Sequence, residues 1–226
     1  MPRQVVSEVL YHCGHFDCLH VTRSYITNPL NAKNGWSSTA WTVQLEPSVM
    51  VEAYIHDGND SVDLREPHNS GTPVSLEELS KLGVFYRYLD TQEDVDNLAK
   101  ERNYKNRDIV NISPASFPDE ETLKAKLDIF YKEHLHEDEE IRYCLDGEGY
   151  FDVRNTLSSD WIRIRFERND LLIVPAGIFH RFTLTSSNYV KALRLFQDEP
   201  KWLAINKPEA DLNPTHLKYV ESVNND

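Results

Sequence analysis

The stretch KEHLHEDEEIRYCLDGEGYF, Lys132 to Phe151, packs two histidines and five acids into its first nine residues and then turns to apolar alternation. Taken alone, such a run reads as a solvated bend. Its spacing says more. His134 and His136 stand two apart where a helical pattern ends, and on a strand residues i and i+2 share a face, so both imidazoles can converge on one point. Glu140 then opens IRYCLDG, in which Ile141, Tyr143 and Leu145 alternate with Arg142, Cys144 and Asp146. If residues 137–139 bend, Glu140 starts the next strand and faces the same interior. A fourth candidate lies forty residues on, in PAGIFHRF. There Pro175, Ala176 and Gly177 make a tight turn that launches a strand with His180, Phe182 and Leu184 on one face.

A single imidazole among apolar neighbours is as a rule a satisfied core histidine. The combined pattern is weightier: H-x-H-x3-E-x6-G ending at Gly147, then P-x-G-x2-H ending at His180. It supplies nitrogen donors and one carboxylate, a mix that suits a divalent first-row metal such as iron or nickel, whereas the lack of sulfur argues against a structural zinc cage. Such ions favour about six ligands, so these donors leave adjacent open positions, which a bidentate oxygen substrate needs.

Around these motifs the chain reads as helices first and strands afterwards. PVSLEELSKLG carries a capping box, Ser75 with Glu78, then Leu76, Leu79 and Leu82 on one face and Gly83 as a stop. DTQEDVDNLAKERN and FPDEETLKAKLDIFYKEH carry acids in their first turns and apolar residues at helical spacing. WIRIRFE then sets Ile162, Ile164 and Phe166 against Arg163, Arg165 and Glu167, and DLLIVPAG and NYVKALRLF are further short strands between turns. The order predicts an α+β fold, a barrel or sandwich of the jelly-roll kind behind a helical N-terminal layer.

Residues 1–49 are different in kind. Arg3, Arg23 and Lys33 balance Glu8, Asp17 and Glu46, so the formal net charge of −13 belongs to residues 50–226. The first segment lacks useful periodicity and is expected to be a poorly ordered extension, with Met50 a plausible start of the domain proper. Its cluster HCGHFDCLH, with His12, Cys13, His15, Cys18 and His20, has no second ligand pair within the segment and reads as chance clustering rather than zinc. No apolar run reaches the roughly 20 residues of a membrane span. The acidic balance disfavours nucleic acid as a partner. Three cysteines, Cys13, Cys18 and Cys144, make no disulfide framework, which fits a reducing compartment and a cytoplasmic location.

The paired motifs resemble those of the cupin barrel. The wider strings EEIRYCLDGEGYFDVR, WIRIRFERNDLLIVPAGIFHRFT and YVKALRLF, with LGVFYRYL and ERNY, resemble the acireductone dioxygenase family of methionine salvage, from Met50 to about Trp202. That resemblance implies a cupin-type β-barrel (double-stranded β-helix) holding one Fe(2+) or Ni(2+) on His134, His136, Glu140 and His180. It implies cleavage of 1,2-dihydroxy-3-keto-5-methylthiopentene by O2. The iron form is expected to give 2-keto-4-methylthiobutyrate and formate, and the nickel form methylthiopropionate, formate and carbon monoxide. Partners are then the small-molecule acireductone and O2, in a monomer that is cytoplasmic and, by the resemblance, also nuclear.

Arg142, two residues after Glu140, is expected to face the interior and orient the substrate's anionic oxygens, against the alternative of an outward arginine paired with an acid. Phe182 either walls the pocket against the methylthio tail or packs in the core. Cys144 reads as a small hydrophobe, and Glu139 as a possible partner of a ligand histidine. His56, His68 and His216 read as solitary surface residues. One departure from the cupin pattern stands at Asn169, where glycine is common and which tolerates a left-handed turn. Two other functions fit the cage: a different oxidase with three histidines and one glutamate, and a metal-binding scaffold without turnover.

Overall fold

Glycine at position 147 is where the longest strand changes sheets, and the architecture follows from that corner. The computed structural model describes residues 51–59, 61–199 and 203–225, together with the backbone of two strands nearer the N-terminus. Those two, β1 (Val5–Leu10) and β2 (Val21–Ile26), pair antiparallel with Val5 opposite Ile26, a pairing that the uneven pattern of VVSEVL and VTRSYI did not announce. They belong to a compact unit, Met1–Met50, separate from a second unit, Val51–Asp226. The histidine and cysteine cluster of residues 12–20 lies outside the described residues.

The second unit runs β3 (Ala53–His56), β4 (Asn69–Pro73), α1 (Leu76–Lys81), β5 (Phe85–Tyr88), α2 (Gln92–Glu101), β6 (Asn106–Ile112) and α3 (Glu120–Tyr131). It continues through β7 (His134–Leu135), β8 (Glu140–Arg154), β9 (Trp161–Glu167), β10 (Asp170–Val174), β11 (His180–Leu184), β12 (Val190–Phe196), β13 (Ile205–Asn206) and α4 (Pro214–Asn224). The capping box of Ser75 and Glu78 forms, and Gly83 ends that turn at φ +74°. Leu79 and Leu82 are buried, but Leu76 is exposed. At 100° per residue, positions six apart sit about 120° away from each other, so the three leucines do not share one face. A second capping box, Thr91 with Asp94, starts α2. Strands β3 to β6 interleave with the helices, where the sequence pattern suggested helices alone.

One sheet has the order β13-β7-β11-β8-β9-β3-β4, and the other joins β5, β10, β8, β12 and β6, every pairing antiparallel. The strand β8 belongs to both. Its first half pairs with β10 and β12, its second half with β9 and β11, and the change falls at Gly147 and Gly149. Gly147 has φ +75°, and a Cβ there would run into the carbonyl of Tyr189. A Cβ at Gly149 would stand 2.6 Å from the Phe182 ring. Only glycine lets the strand turn and the ring seat.

Between the sheets lie Phe151, Val153, Ile162, Ile164, Phe166, Leu172, Val174 and Leu184. On the far side of the second sheet, α2 buries Val95, Leu98 and Ala99 against Ile141, Tyr143, Leu171 and Leu195. With Ile141 and Tyr143 committed to that outer layer, the alternation of β8 turns Glu140 and Arg142 inward. Arg163, expected on the polar face of β9, is fully buried there. Its guanidinium meets the Asp152 carboxylate at 2.7 and 3.0 Å and donates to the carbonyls of Leu64 and Glu66, so the loop between β3 and β4 closes over the pair.

Candidate metal centre

The four side chains read from the two motifs meet at one point. His134 opens β7 and lies opposite His180 of β11 in the ladder, while residues 137 and 138 bend the chain so that Glu140 returns beside them. The turn before His180 is held to the first motif directly, because the Gly177 amide donates to the His136 carbonyl at 2.9 Å. Gly177 takes φ +85° and lies so close to Thr215 of α4 that a Cβ would come within 2.6 Å of its carbonyl oxygen. Asn169 takes φ +76°, so the left-handed turn survives without glycine.

Each imidazole is fixed by its Nδ1. His134 donates from it to the Lys132 carbonyl at 2.7 Å, His136 to that of Leu203 at 2.8 Å, and His180 to that of Ile178 at 3.0 Å. A carbonyl only accepts, so each ring keeps its proton at Nδ1 and turns an Nε2 lone pair to the centre. His180 Nε2 stands 2.8 Å from Glu140 Oε2, and His136 Nε2 stands 3.4 Å from the same oxygen. Glu140 Oε2 and His180 Nε2 are nevertheless buried without a hydrogen-bond partner. Two lone pairs facing each other this closely repel unless a cation lies between them.

The spacing suits an ion. Donors at about 2.1 Å from a shared metal and at right angles to each other stand about 3 Å apart, and all four ligand atoms lie within 4.8 Å of one another. Protonation is set for the task as well. Burial lowers His134 to about 4, and it lowers His136 in the same direction, so both are neutral ligands at pH 7. For Glu140 burial acts upward, but the Arg142 guanidinium beside it acts the other way, and the carboxyl is held well below its ordinary range. These residues form a metal-binding site.

The site lines a cavity of about 890 Å³ that also takes in Arg142, Phe130, Phe151, Phe166 and Phe182. Arg142 faces inward, with a guanidinium nitrogen 2.7 Å from Glu140 Oε1 and a hydrogen bond to the Ile141 carbonyl. Phe182 contacts Phe130 edge-on and Phe151 at a tilt, so it is both wall and packing element. Cys144 lies in the core rather than on the cavity, with its thiol pushed up to about 12 by burial.

Three minor readings of the sequence change. Glu139 does not support a ligand histidine; it accepts from the Tyr104 hydroxyl at 3.0 Å, because backbone carbonyls already satisfy every Nδ1 of the site. His216 is half-buried, bonded through Nδ1 to the Gly177 carbonyl and packed on Phe179. His56 and His68 are buried and stacked, centroids 4.6 Å apart and planes within 7°. Together with Asp57 they bring possible ligand atoms close, but their nitrogens are already engaged. Near-parallel rings also cannot both hold one ion in their planes, so this trio clamps the loop between β3 and β4. Nothing in the spacing of His56 and His68 signalled the pairing, which the antiparallel β3 and β4 create.

Two antiparallel sheets closing on three histidines and a glutamate define a metal-binding protein of the cupin class. The model of the ARD/ARD' family matches residues 52–204, and the chain belongs to that family. Acireductone dioxygenase of Saccharomyces cerevisiae is 57% identical over 177 residues, 77% of this chain and 99% of the relative. The protein of the same name from Yarrowia lipolytica is 53% identical over 173 residues, 76% of this chain and 99% of its own length. A solved acireductone dioxygenase from Bacillus anthracis, with a cadmium ion in its active centre, shares the fold. It superposes with a TM-score of 0.54 at 24% identity, over 69% of this chain and 98% of that one. No described helix is long and apolar enough to cross a membrane.

Proposed function

We propose that this chain is a metal-dependent acireductone dioxygenase that cleaves 1,2-dihydroxy-3-keto-5-methylthiopentene with O2. The observation that carries the reading is the set of Nε2 lone pairs, fixed by three Nδ1–carbonyl bonds, that converge with a buried carboxylate inside an arginine-bearing cavity. Fe(II) or Ni(II) held by these residues would supply Lewis acidity toward the ene-diol oxygens, with 2-keto-4-methylthiobutyrate and formate as the products of the iron form and methylthiopropionate, formate and carbon monoxide as those of the nickel form.

His134, His136, Glu140 and His180 hold the ion, and the carbonyl bonds behind the rings keep their orientation fixed. Arg142 does double duty. Its salt bridge keeps Glu140 anionic, and its side chain lines the cavity, where it binds and orients the substrate's anionic oxygens. Phe182, with Phe130 and Phe151, surrounds the methylthio tail and keeps water from the reacting carbons.

We further propose that residues 1–49 are an extension to a catalytic unit that starts near Met50. The family match begins at residue 52, and 177 residues of this chain suffice to cover 99% of the yeast relative.

Anaerobic loading with Fe(II) or Ni(II), followed by acireductone and air, tests the activity by mass spectrometry of the products. Keto acid and formate from the iron form, with carbon monoxide from the nickel form, are expected. Acireductone that decays no faster than in buffer, beside a metal-loaded chain, would instead support a scaffold without turnover.

A further inference from the structure

Three residues, Gly177, Ile178 and Phe179, lead from the turn after β10 to His180, and the Ile178 carbonyl among them is the acceptor that fixes the His180 ring. The Ile178 side chain packs in the core between the sheets, whereas Phe179 joins a separate cluster with Leu135 and Ala210. His216, in the first turn of α4, holds both flanks of that carbonyl. Its Nδ1 donates to the Gly177 carbonyl at 2.8 Å, and its ring packs on the Phe179 ring with centroids 4.5 Å apart. The Gly177 amide donates in turn to the His136 carbonyl at 2.9 Å, so one residue links α4 to both metal motifs. The helix is itself anchored at each end. Asn213 caps it with Oδ1 and donates from Nδ2 to Glu137 Oε1 at 3.1 Å, in the bend that returns Glu140. Further along, the Tyr219 hydroxyl donates to the Leu82 carbonyl at 3.0 Å.

We propose that His216 is a positioning residue: by holding Gly177 and Phe179 it fixes the Ile178 carbonyl, and through that carbonyl the aim of His180 Nε2 into the cage. This rests on the metal-centre reading above. Two contacts on the residues that flank Ile178 resist rotation of the backbone between them, which a single contact would permit. Partners behind a ligand histidine set its orientation, and their loss weakens metal binding by about 10- to 100-fold. His216 acts one bond further out, so its share is smaller. Two replacements separate this role from plain support of the helix. Asparagine can place its side-chain amide where Nδ1 stands on the imidazole, so it keeps the donor, yet it is a poorer helix former than leucine. Leucine keeps apolar contact with Phe179 and loses the donor. Support of the helix alone ranks leucine above asparagine, and positioning ranks them the other way.

The test loads the full-length chain with Co(II), whose ligand-field absorption reports the occupied cage, and times release by chelator chase. His216→Leu should release the ion about five- to tenfold faster than the parent, and His216→Asn should stay within about twofold of it. Tyr219→Phe is the control for helix support. It removes the bond to the Leu82 carbonyl but keeps the Cβ that lies against Gly177, so it should lower stability to urea and leave release at the parent's rate. A leucine variant that releases at the parent's rate would overturn the proposal. So would an asparagine variant that releases as fast as the leucine one, or a Tyr219→Phe chain that speeds release as much as His216→Leu does. The asparagine arm stands by itself should the leucine variant not fold, since release there more than about fivefold faster than in the parent also overturns the role. Failure of Co(II) to bind the parent at all is a different outcome, which would remove the metal-centre reading and the proposal with it.

Discussion

Replacing Arg142 with Met separates the two tasks proposed for that side chain. The guanidinium lies 2.7 Å from Glu140 Oε1 in a largely buried pair, and the side chain also lines the cavity beside the metal site. Loss of a hydrogen bond to a charged group costs about 1.5–3 kcal/mol, which is about a 10- to 150-fold rise in KM if it falls on the substrate's anion. Methionine fills most of the stem volume, so the cage should remain and bind one metal per chain at pH 7.5. The pair has a second consequence. Arg142 leads the influences that lower the Glu140 carboxyl, and without it the burial that raises that carboxyl is less opposed. A depressed carboxyl gives up its charge only at low pH, so in the variant metal release on acidification should begin at a higher pH than in the parent. Steady-state kinetics on the metal-loaded variant gives the first quantity, and metal content after dialysis across a pH series gives the second. An unchanged KM in the loaded variant, together with loss of metal at pH 7.5, would refute the double role.

Asp152 is buried and serves both Arg163, at 2.7 and 3.0 Å, and Arg181, at 2.8 Å, on the back of the sheet that carries His180. Asp152→Asn should cost about 3–5 kcal/mol, a Tm loss of about 6–20 °C in a unit of this size, and combining it with Arg163→Met should cost less than the two singles together. Gly147→Ala forces a Cβ against the Tyr189 carbonyl at φ +75° and should cost about 2–5 kcal/mol by urea titration; a loss under about 1 kcal/mol would show that the corner is not strained. Burial raises Asp170 to about 6, above its unfolded value of 3.8, so the folded chain holds this proton longer than the unfolded one. Its contribution to stability is present below pH 4 and lost as pH rises through 6, so denaturant titrations of the parent should show that fall and those of Asp170→Asn should not.

The site was legible in the sequence because its logic is local. Parity on β8 puts Glu140 and Arg142 on one face, a two-residue step pairs His134 with His136, and the turn at Gly177 aims His180. Each follows from strand geometry without knowledge of the partner strand. The strands β8 to β12 were legible for the same reason, since WIRIRFE and its neighbours alternate. What escaped depends on contacts between distant segments. The burial of Arg163 requires Asp152 on the next strand and the carbonyls of a loop 97 and 99 residues away. His56 and His68 stack only because β3 and β4 pair, and their separation in sequence carries no period. Strands β4 and β5 are short and largely exposed or half-buried, so they lack the apolar alternation that marks a strand.

The claim on which the rest stands is that one divalent ion sits among His134, His136, Glu140 and His180. Anomalous diffraction from crystals of the nickel-loaded chain, collected on both sides of the nickel absorption edge, tests it most directly. The expected result is a single strong peak per chain at bonding distance from three Nε2 atoms and a Glu140 carboxylate oxygen, with Arg142 alongside. A peak elsewhere, or a cage in which any of the three imidazoles turns its Nε2 away from the ion, would contradict the account.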